Sequence, residues 1–198
     1  MTPDSHAQRK AKVYEAALAL TSQGVSPAAM TIQQLADAAG IGKGTVYEYF
    51  SSNEEILQGV ARYCFAQENE RIAARFDRCR TLVDLENELV DYLQEVAAQR
   101  MSTYRLLAVN FGQQAALPEC TNACRSQLTA LTDALVARLQ AAGEIDPGLT
   151  MDACRTSIFC TVTGGLIALC CSAGSGDALP DLPQNLRDNL HRSLRPQK

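Results

Sequence analysis

The stretch that decides the fold is residues 31–50, which read TIQQLADAAGIGKGTVYEYF. Its first half has the apolar spacing of a short helix. Thr31 and Gln34, three positions apart, predict a capping box at the start of that helix. Gly40 supplies the positive φ angle that a tight turn requires, and a second short helix then runs to Phe50. Two short helices joined by such a turn are typical of a helix-turn-helix.

The second motif helix divides into an inner and an outer face. Val46 and Phe50 are the apolar residues that would anchor it to the core. The residues left outside are polar, small or aromatic: Lys43, Gly44, Thr45, Tyr47, Glu48 and Tyr49. A mixed surface of this kind at a helix N terminus is typical of the end that enters the major groove of DNA.

Working outward from the motif, the rest of the chain also predicts helices. Apolar residues recur at helical spacing in one segment before the motif and in five segments after it: residues 7–23, 53–76, 82–96, 101–112, 121–142 and 150–173. The tail after Gly174 contains three prolines and predicts a loop with one short helix at residues 184–194. The expected fold class is therefore all-α.

Composition narrows the function classes. The chain has 198 residues and a net charge of −4, so any contact with DNA must use a local basic patch. Its polar opening segment lacks a signal peptide, which predicts a cytoplasmic protein whose eight cysteines are free thiols. No Ser-His-Asp set, paired carboxylates or metal-binding cysteine spacing is present, so we expect no enzyme, no catalytic residues, no metal and no cofactor.

The run from Ala36 to Phe50 has the pattern A-x-x-A-G-I-x-x-G-T-x-Y-x-Y-F, and residues 51–57 continue it as SSNEEIL. This segment resembles the DNA-binding domain of the tetracycline-repressor (TetR) family, and the resemblance covers about the first third of the chain. It implies roles in binding double-stranded DNA for six residues. Thr31 and Tyr49 would reach phosphates, Lys43, Thr45 and Tyr47 would contact bases or backbone, and Gly44 would let the helix approach the DNA closely. Asn53 stands where the family usually has Lys, which predicts one phosphate contact fewer.

The resemblance also implies a domain organisation and a function. We expect a three-helix DNA-binding head at residues 1–52 and a larger helical effector-binding and dimerisation body at residues 53–198. Two subunits would pair through Leu128–Leu139 and Thr156–Cys171, where Gly164 and Gly165 allow close approach. The expected function is a homodimeric repressor that leaves a palindromic operator when a small-molecule effector binds; activation remains an alternative.

Several residues have two interpretations. Four apolar residues of the body either fill its core or line a ligand pocket: Met101, Tyr104, Phe111 and Phe159. The cysteines, among them Cys120 and Cys124, are either core residues or a redox and electrophile sensor. Residues 156–175 carry no charge and are either a buried helix or a membrane span.

Two further expectations concern single residues and the head as a whole. The carboxylates Glu68, Glu70, Glu86 and Glu88 are expected in solvent, and His191 in a flexible end. A ligand-binding protein with a relic DNA-binding head is the remaining alternative to a working regulator.

Overall fold

The computed structural model describes residues 3–100, 118–175 and 179–195, and these ranges contain helices and connecting segments but no strand. The eight α-helices are α1 (Pro3–Ser22), α2 (Ile32–Ala39), α3 (Lys43–Tyr49), α4 (Asn53–Phe76), α5 (Leu82–Glu95), α6 (Pro118–Ala141), α7 (Met151–Ser175) and α8 (Leu182–Leu194). A 3₁₀ turn at Pro27–Ala29 precedes α2, and a π-helical turn at Val96–Arg100 follows α5. The predicted all-α class is confirmed.

The described chain divides into two units, each with its own apolar core. The first unit contains residues 3–68 and 118–124. The second unit contains residues 69–100, 125–175 and 179–195. The proposed domain boundary between residues 52 and 53 lies at the start of α4 and stays a prediction.

The core of the first unit is built by α1 to α4. Its fully or almost fully buried side chains are Val13, Ala17, Met30, Leu35, Ala36, Val46, Tyr49, Phe50, Ile56, Val60, Ala61 and Cys64. Gly59 of α4 is essential to this packing: a Cβ atom there would lie 2.5 Å from the Tyr14 hydroxyl oxygen and 2.7 Å from the adjacent ring carbon. The absence of a side chain at position 59 therefore lets the Tyr14 ring pack against α4.

Local sequence signals set the ends of the helices in the first unit. Gln34 N donates to Thr31 Oγ1 over 3.2 Å, and Thr31 N donates to Gln34 Oε1 over 2.9 Å, which confirms the capping box of α2. Gly24 and Gly40 end α1 and α2 with φ angles of +90° and +65°. Both angles lie in the left-handed region that glycine adopts without strain.

The core of the second unit joins the end of α4 with α5, α6, α7 and α8. Its buried side chains are Phe76, Cys79, Leu82, Leu85, Leu89, Leu135, Val136, Leu139, Ile145, Cys154, Ile158, Leu190 and Leu194. Two side chains near the end of α6 hold the turn between α4 and α5. Arg138 Nη2 donates to the Phe76 carbonyl over 2.6 Å, and Glu144 Oε2 accepts from Leu82 N over 3.0 Å. Backbone groups at two helix ends are thus satisfied by side chains from a distant part of the chain.

The expectation that four carboxylates lie in solvent is wrong for Glu68 and Glu86, which are both buried. Glu86 Oε1 lies 2.8 Å from His191 Nδ1, and His191 belongs to α8 instead of a flexible end. Glu88 forms an ion pair with Arg75 at 2.8 Å. Glu70 alone among the four is exposed. For Glu86 the partner lies about a hundred residues later in the chain, so its burial could not be read from the local pattern.

α7 has one buried and one exposed face. From Thr156 onwards the exposed face consists of small or apolar residues without charge, namely Thr156, Cys160, Thr163, Gly164 and Ile167, whereas Asp152 one turn earlier is exposed and charged. A Cβ atom on Gly165 would lie 2.7 Å from Leu93 Cδ1 and 3.2 Å from Leu186 Cδ1. Gly165 therefore allows packing against α5 and α8 of its own subunit, and the expectation that it faces a partner is wrong. A Cβ atom on Gly164 would have no neighbour within 4 Å.

The membrane-span alternative for residues 156–175 receives no support. Across the described parts of the chain, none of the helices combines the length and the hydropathy that crossing a bilayer requires.

Candidate DNA-binding surface

The site is built on α3, a seven-residue helix whose two sides differ sharply in burial. Val46 and Phe50 are 0% and 2% exposed, and they fix the helix to the core of the first unit. On the opposite side, Lys43, Gly44 and Tyr47 are exposed, and Tyr47 has 55% of its surface in solvent. The inner and outer faces predicted from the sequence are thereby confirmed for these residues.

Two small residues of α3, Gly44 and Thr45, leave little side-chain bulk over the helix backbone on its outer side. A Cβ atom on Gly44 would meet nothing within 4 Å, so packing inside the protein does not require glycine at this position. Thr45 is half-buried at the edge of the exposed face. An exposed glycine beside Thr45 leaves the backbone of α3 accessible to a large partner.

Thr31 is exposed at the start of α2, where its side chain already belongs to the capping box. Its hydroxyl accepts from Gln34 N and also lies 3.0 Å from Gln34 Oε1. The structure therefore gives Thr31 a local structural role, and its predicted contact with a phosphate remains a prediction.

Tyr49 is not on the outer face, contrary to expectation. Only 7% of its surface is exposed, because the ring packs into the core of the first unit. Its hydroxyl accepts a hydrogen bond from Arg9 Nη1 over 3.2 Å, and the His6 ring meets it edge-on at 4.6 Å between centroids. The 240° rotation between Lys43 and Tyr49 that follows from 100° per residue explains the error: it turns Tyr49 towards α1.

The first helix thus contributes side chains to the end of α3. Besides His6 and Arg9, Lys10 places its Nζ atom 5.4 Å from the centroid of the Phe50 ring. No role in DNA binding was predicted for these residues of α1. The signal that could have found them is their spacing, since positions 6, 9 and 10 share one face of a helix.

Asn53, the position that departs from the family pattern, ties two elements together. Its Nδ2 atom donates to the Met30 carbonyl over 2.9 Å, which connects the start of α4 to the segment before α2. The side chain is engaged inside the protein, and the expected loss of one phosphate contact stays a prediction. The tie also holds the N-terminal ends of α2 and α4 in register.

The helix that follows the motif has its own polar start. Ser52 Oγ accepts from Glu55 N over 3.1 Å, and Glu55 Oε2 accepts from the backbone and the hydroxyl of Ser51 over 2.7 Å each. The hydrogen bond from the Ser51 hydroxyl, and next the one from the Ser51 backbone, lower the pKa of Glu55. The carboxylate is favoured at a helix N terminus, where the backbone dipole is positive. α4 therefore begins at a fixed point directly after α3.

The proposed ligand pocket is not assembled by the described residues. Met101, Tyr104 and Phe111 lie outside them. Phe159 of α7 is partly buried and packs against the core of the second unit. Its role as a core residue is observed, and its role in a pocket stays a prediction.

The described buried thiols have the properties of core residues. Burial raises the pKa of Cys79 to about 11, and it also raises the pKa of Cys154. Because the thiolate is the reactive form, both thiols are less nucleophilic than an ordinary cysteine. Cys160 is exposed on α7. The side chains of Cys120, Cys124, Cys170 and Cys171 lie outside the described set, so the sensor alternative stays open for them.

With this geometry established, comparison with known families decides the nature of the first unit. Residues 13–60 match the family described as "Bacterial regulatory proteins, tetR family". These residues form a TetR-family DNA-binding domain. The predicted resemblance is confirmed, and the matched range covers most of α1, all of α2 and α3, and the start of α4. The chain thus contains the helix-turn-helix DNA-binding domain of TetR-family regulators of transcription.

Solved structures share the TetR fold along nearly the whole chain. A TetR-family regulator from Mesorhizobium loti MAFF303099 has a TM-score of 0.77 at 17% identity, with 98% of this chain and 97% of that chain covered. One from Marinobacter aquaeolei VT8 has a TM-score of 0.71 at 17% identity, with coverages of 99% and 100%.

A third solved structure carries a bound ligand. FadR from Bacillus subtilis, in complex with stearoyl-CoA, has a TM-score of 0.64 at 19% identity, with 94% of this chain and 98% of that chain covered. No curated protein matches the sequence at a significant level. At these identities the structural comparisons establish the fold.

Proposed function

We propose that this TetR-family regulator is a homodimeric repressor that binds a palindromic operator and is released by a small-molecule effector. The observation that carries the proposal is the outer face of α3: Lys43, Gly44 and Tyr47 stand exposed beside fully buried Val46. Two such helices, one from each subunit, would occupy successive major grooves of a site with two-fold symmetry.

Support for a homodimer comes from the exposed face of α7. Over three turns it presents no charged side chain, and Ile167 has 59% of its surface exposed. A large apolar side chain exposed on an uncharged helix face is consistent with a protein-protein interface. Leu135 and Leu139 are buried in the core of their own unit, so the leucines expected at the interface do not form it. We propose that the face of α7, together with the exposed Ala130, Ala134 and Ala137 of α6, meets its counterpart in a second subunit.

Support for an effector comes from the fold. The Bacillus subtilis FadR structure holds stearoyl-CoA, so a protein of this fold can bind a large organic ligand. For this chain we propose an effector site in the body, with Met101, Tyr104, Phe111 and Phe159 as its lining. An effector that binds more tightly to the conformation with weak DNA affinity lowers the affinity for the operator. The operator lowers the affinity for the effector by the same coupling free energy.

The DNA-binding function is tested on duplexes that the parent protein selects from a random pool. Tyr47→Ala should weaken binding to the selected duplex by about 1–3 kcal/mol, because an exposed reading contact is lost. Its thermal unfolding should match that of the parent. Val83→Ala, which truncates a side chain that is 52% exposed on α5, is the control and should bind as the parent does.

A parent protein that selects no duplex would contradict the proposed function and favour the relic-head alternative. A folded Tyr47→Ala variant with parental affinity would show that the reading surface lies elsewhere.

The dimer is tested by sedimentation equilibrium on two matched variants. Ile167→Asp places a charge on the uncharged face of α7 and should shift the protein towards monomers, because an unpaired charge at an apolar contact is costly. Val83→Asp adds the same charge at a similarly exposed position on α5 and should remain a dimer. A monomeric parent protein, or equal behaviour of the two variants, would contradict this interface.

A further inference from the structure

The structure points to Arg9 of α1 as a further DNA-contact residue, which Tyr49 positions against the sugar-phosphate backbone. We infer this from contacts that bring α1 to the end of the motif, and the inference rests on the DNA-binding function proposed above. It replaces the predicted direct contact of Tyr49 with a phosphate by a contact that Arg9 makes while the Tyr49 hydroxyl holds it.

The geometry begins with the burial of Tyr49. Its ring belongs to the core of the first unit, so the hydroxyl is a fixed point. Arg9 Nη1 donates to that hydroxyl over 3.2 Å, and His6, three residues earlier on α1, meets the same ring edge-on at 4.6 Å. Two side chains of one helix face therefore converge on one residue of α3. The guanidinium of Arg9 is held at a defined place.

The guanidinium of Arg9 is held at the edge of the exposed face of α3, the face that carries Lys43, Gly44 and Tyr47. Thr45 and Tyr49 are four residues apart, so both lie on the same side of the helix. Thr45 is half-buried at the border of the exposed face, and Tyr49 continues this border towards α1. Arg9, which is itself half-buried, stands where α1 meets this border. When the exposed face of α3 enters a groove, its borders lie nearest to the phosphates that line the groove.

The charge distribution supplies an independent argument. The outer face of α3 carries Lys43 and Glu48, which sum to zero. Of the four cationic side chains in residues 1–50, three lie on α1: Arg9, Lys10 and Lys12. Binding to DNA depends mainly on neutralised phosphates. A neutral reading helix therefore needs cations from a neighbouring element, and α1 is the element that holds them.

The donor chemistry of the pair suits a phosphate. The Tyr49 hydroxyl accepts one hydrogen bond from Arg9 and keeps its own proton. Arginine has five N–H donors in a planar fork, and among the described residues Tyr49 is the hydrogen-bond partner of Arg9. Among the described contacts none engages its other donors, so these can bind two oxygens of one phosphate, the geometry in which arginine binds phosphate best. Lys10, placed over the Phe50 ring, adds a second cation beside it.

The inference is tested by salt-dependent binding of the duplex that the parent protein selects and of an unrelated duplex of equal length. Arg9→Gln removes the charge, and Tyr49→Phe keeps the ring but removes the hydroxyl. Arg62→Gln removes an equal charge from the exposed side of α4 and is the control. Far-ultraviolet circular dichroism and thermal unfolding show whether each variant keeps the fold of the parent.

For Arg9→Gln we expect about tenfold weaker binding of both duplexes at low salt, because a charge-assisted hydrogen bond is lost. The slope of log affinity against log salt should fall by about 0.9 per subunit. Tyr49→Phe should weaken binding by a smaller factor, and the Arg9→Gln, Tyr49→Phe double variant should bind as Arg9→Gln does. Arg62→Gln should keep the parental slope.

An Arg9→Gln variant with the parental affinity and slope would overturn the inference. Additive effects in the double variant, or a Tyr49→Phe variant equal to the parent, would overturn the positioning role of Tyr49. A parent protein that selects no duplex contradicts the proposed function itself, and so the two failures are distinguishable.

Discussion

α2 and α8 are both short amphipathic helices, and they are specified in different ways. α2 carries a capping box at its N terminus and a left-handed glycine at its C terminus, so both ends are set within ten residues of sequence. α8 begins at Leu182, and the side chain of its N-cap residue, Asp181, forms no capping hydrogen bond. It is held by Arg187 and His191, which bond to Asn87 and Glu86 about a hundred residues earlier.

The two helices therefore depend on different residues: α2 on its sequence neighbours and α8 on residues far along the chain. The caps of α2 satisfy its end groups locally, so the helix can be predicted from its own residues. Both helices are short enough to need tertiary packing, but α8 has no side-chain cap at its start, so its position depends on residues far along the chain. We therefore expect variants in α2 to act through local helix stability and variants in α8 to act through long-range packing.

The largest effect is expected from Leu190→Ala, at the centre of the long-range packing of α8. Leu190 is fully buried, so truncation leaves a cavity and should lower the free energy of unfolding by about 2–5 kcal/mol. Urea denaturation followed by circular dichroism measures it. A loss below about 1 kcal/mol would mean that α8 adds little to the second unit, contrary to the comparison.

The second effect uses the neighbouring glycines of α7, which differ in what surrounds them. Gly165→Ala should be destabilising, because its Cβ would lie 2.7 Å from Leu93 Cδ1, and overpacking costs about 1–3 kcal/mol. In the Ile167→Asp background, where the proposed interface should be broken, Gly164→Ala should stabilise by up to about 1 kcal/mol, since no neighbour in its own subunit lies within 4 Å of the added Cβ and alanine favours helix. Thermal unfolding at one protein concentration compares them. Equal signs would refute the assigned orientation of α7.

A third, smaller effect on stability is expected in α2, the helix whose ends are set by neighbouring residues. Thr31→Ala removes the cap of α2 and should cost about 1 kcal/mol of stability. Thr31→Ser keeps a hydroxyl and should restore most of it. Both are measured by urea denaturation of the full chain, and a Thr31→Ala variant as stable as the parent would show that the capping box is dispensable.

The smallest effect is expected from Arg187→Ala. Arg187 Nε donates to Asn87 Oδ1 over 3.0 Å, but the bond is exposed to solvent. Exposed polar contacts contribute little, so the change should stay within about 0.5 kcal/mol. A larger loss in urea denaturation would mean that sequence distance, and not burial, measures the importance of a contact to α8.

The features that the sequence predicts are those that depend on local contacts, and the features that it misses depend on long-range contacts. The motif, its caps and the exposure of Lys43 and Tyr47 were predictable, because each depends on neighbouring residues. The turn of Tyr49 towards α1 and the engagement of Asn53 with Met30 were not, since both need the position of another helix. The pairing of Glu86 with His191 likewise depends on a contact that no local pattern contains.

The contact between Gly59 and Tyr14 has an evolutionary consequence. These positions belong to α4 and α1, and the space that a side chain at 59 would need is filled by the aromatic ring at 14. A mutation at either position alone leaves a clash or a void, so viable changes should come as pairs. Among homologous sequences, positions 14 and 59 should covary: a residue larger than glycine at 59 should accompany a smaller one at 14.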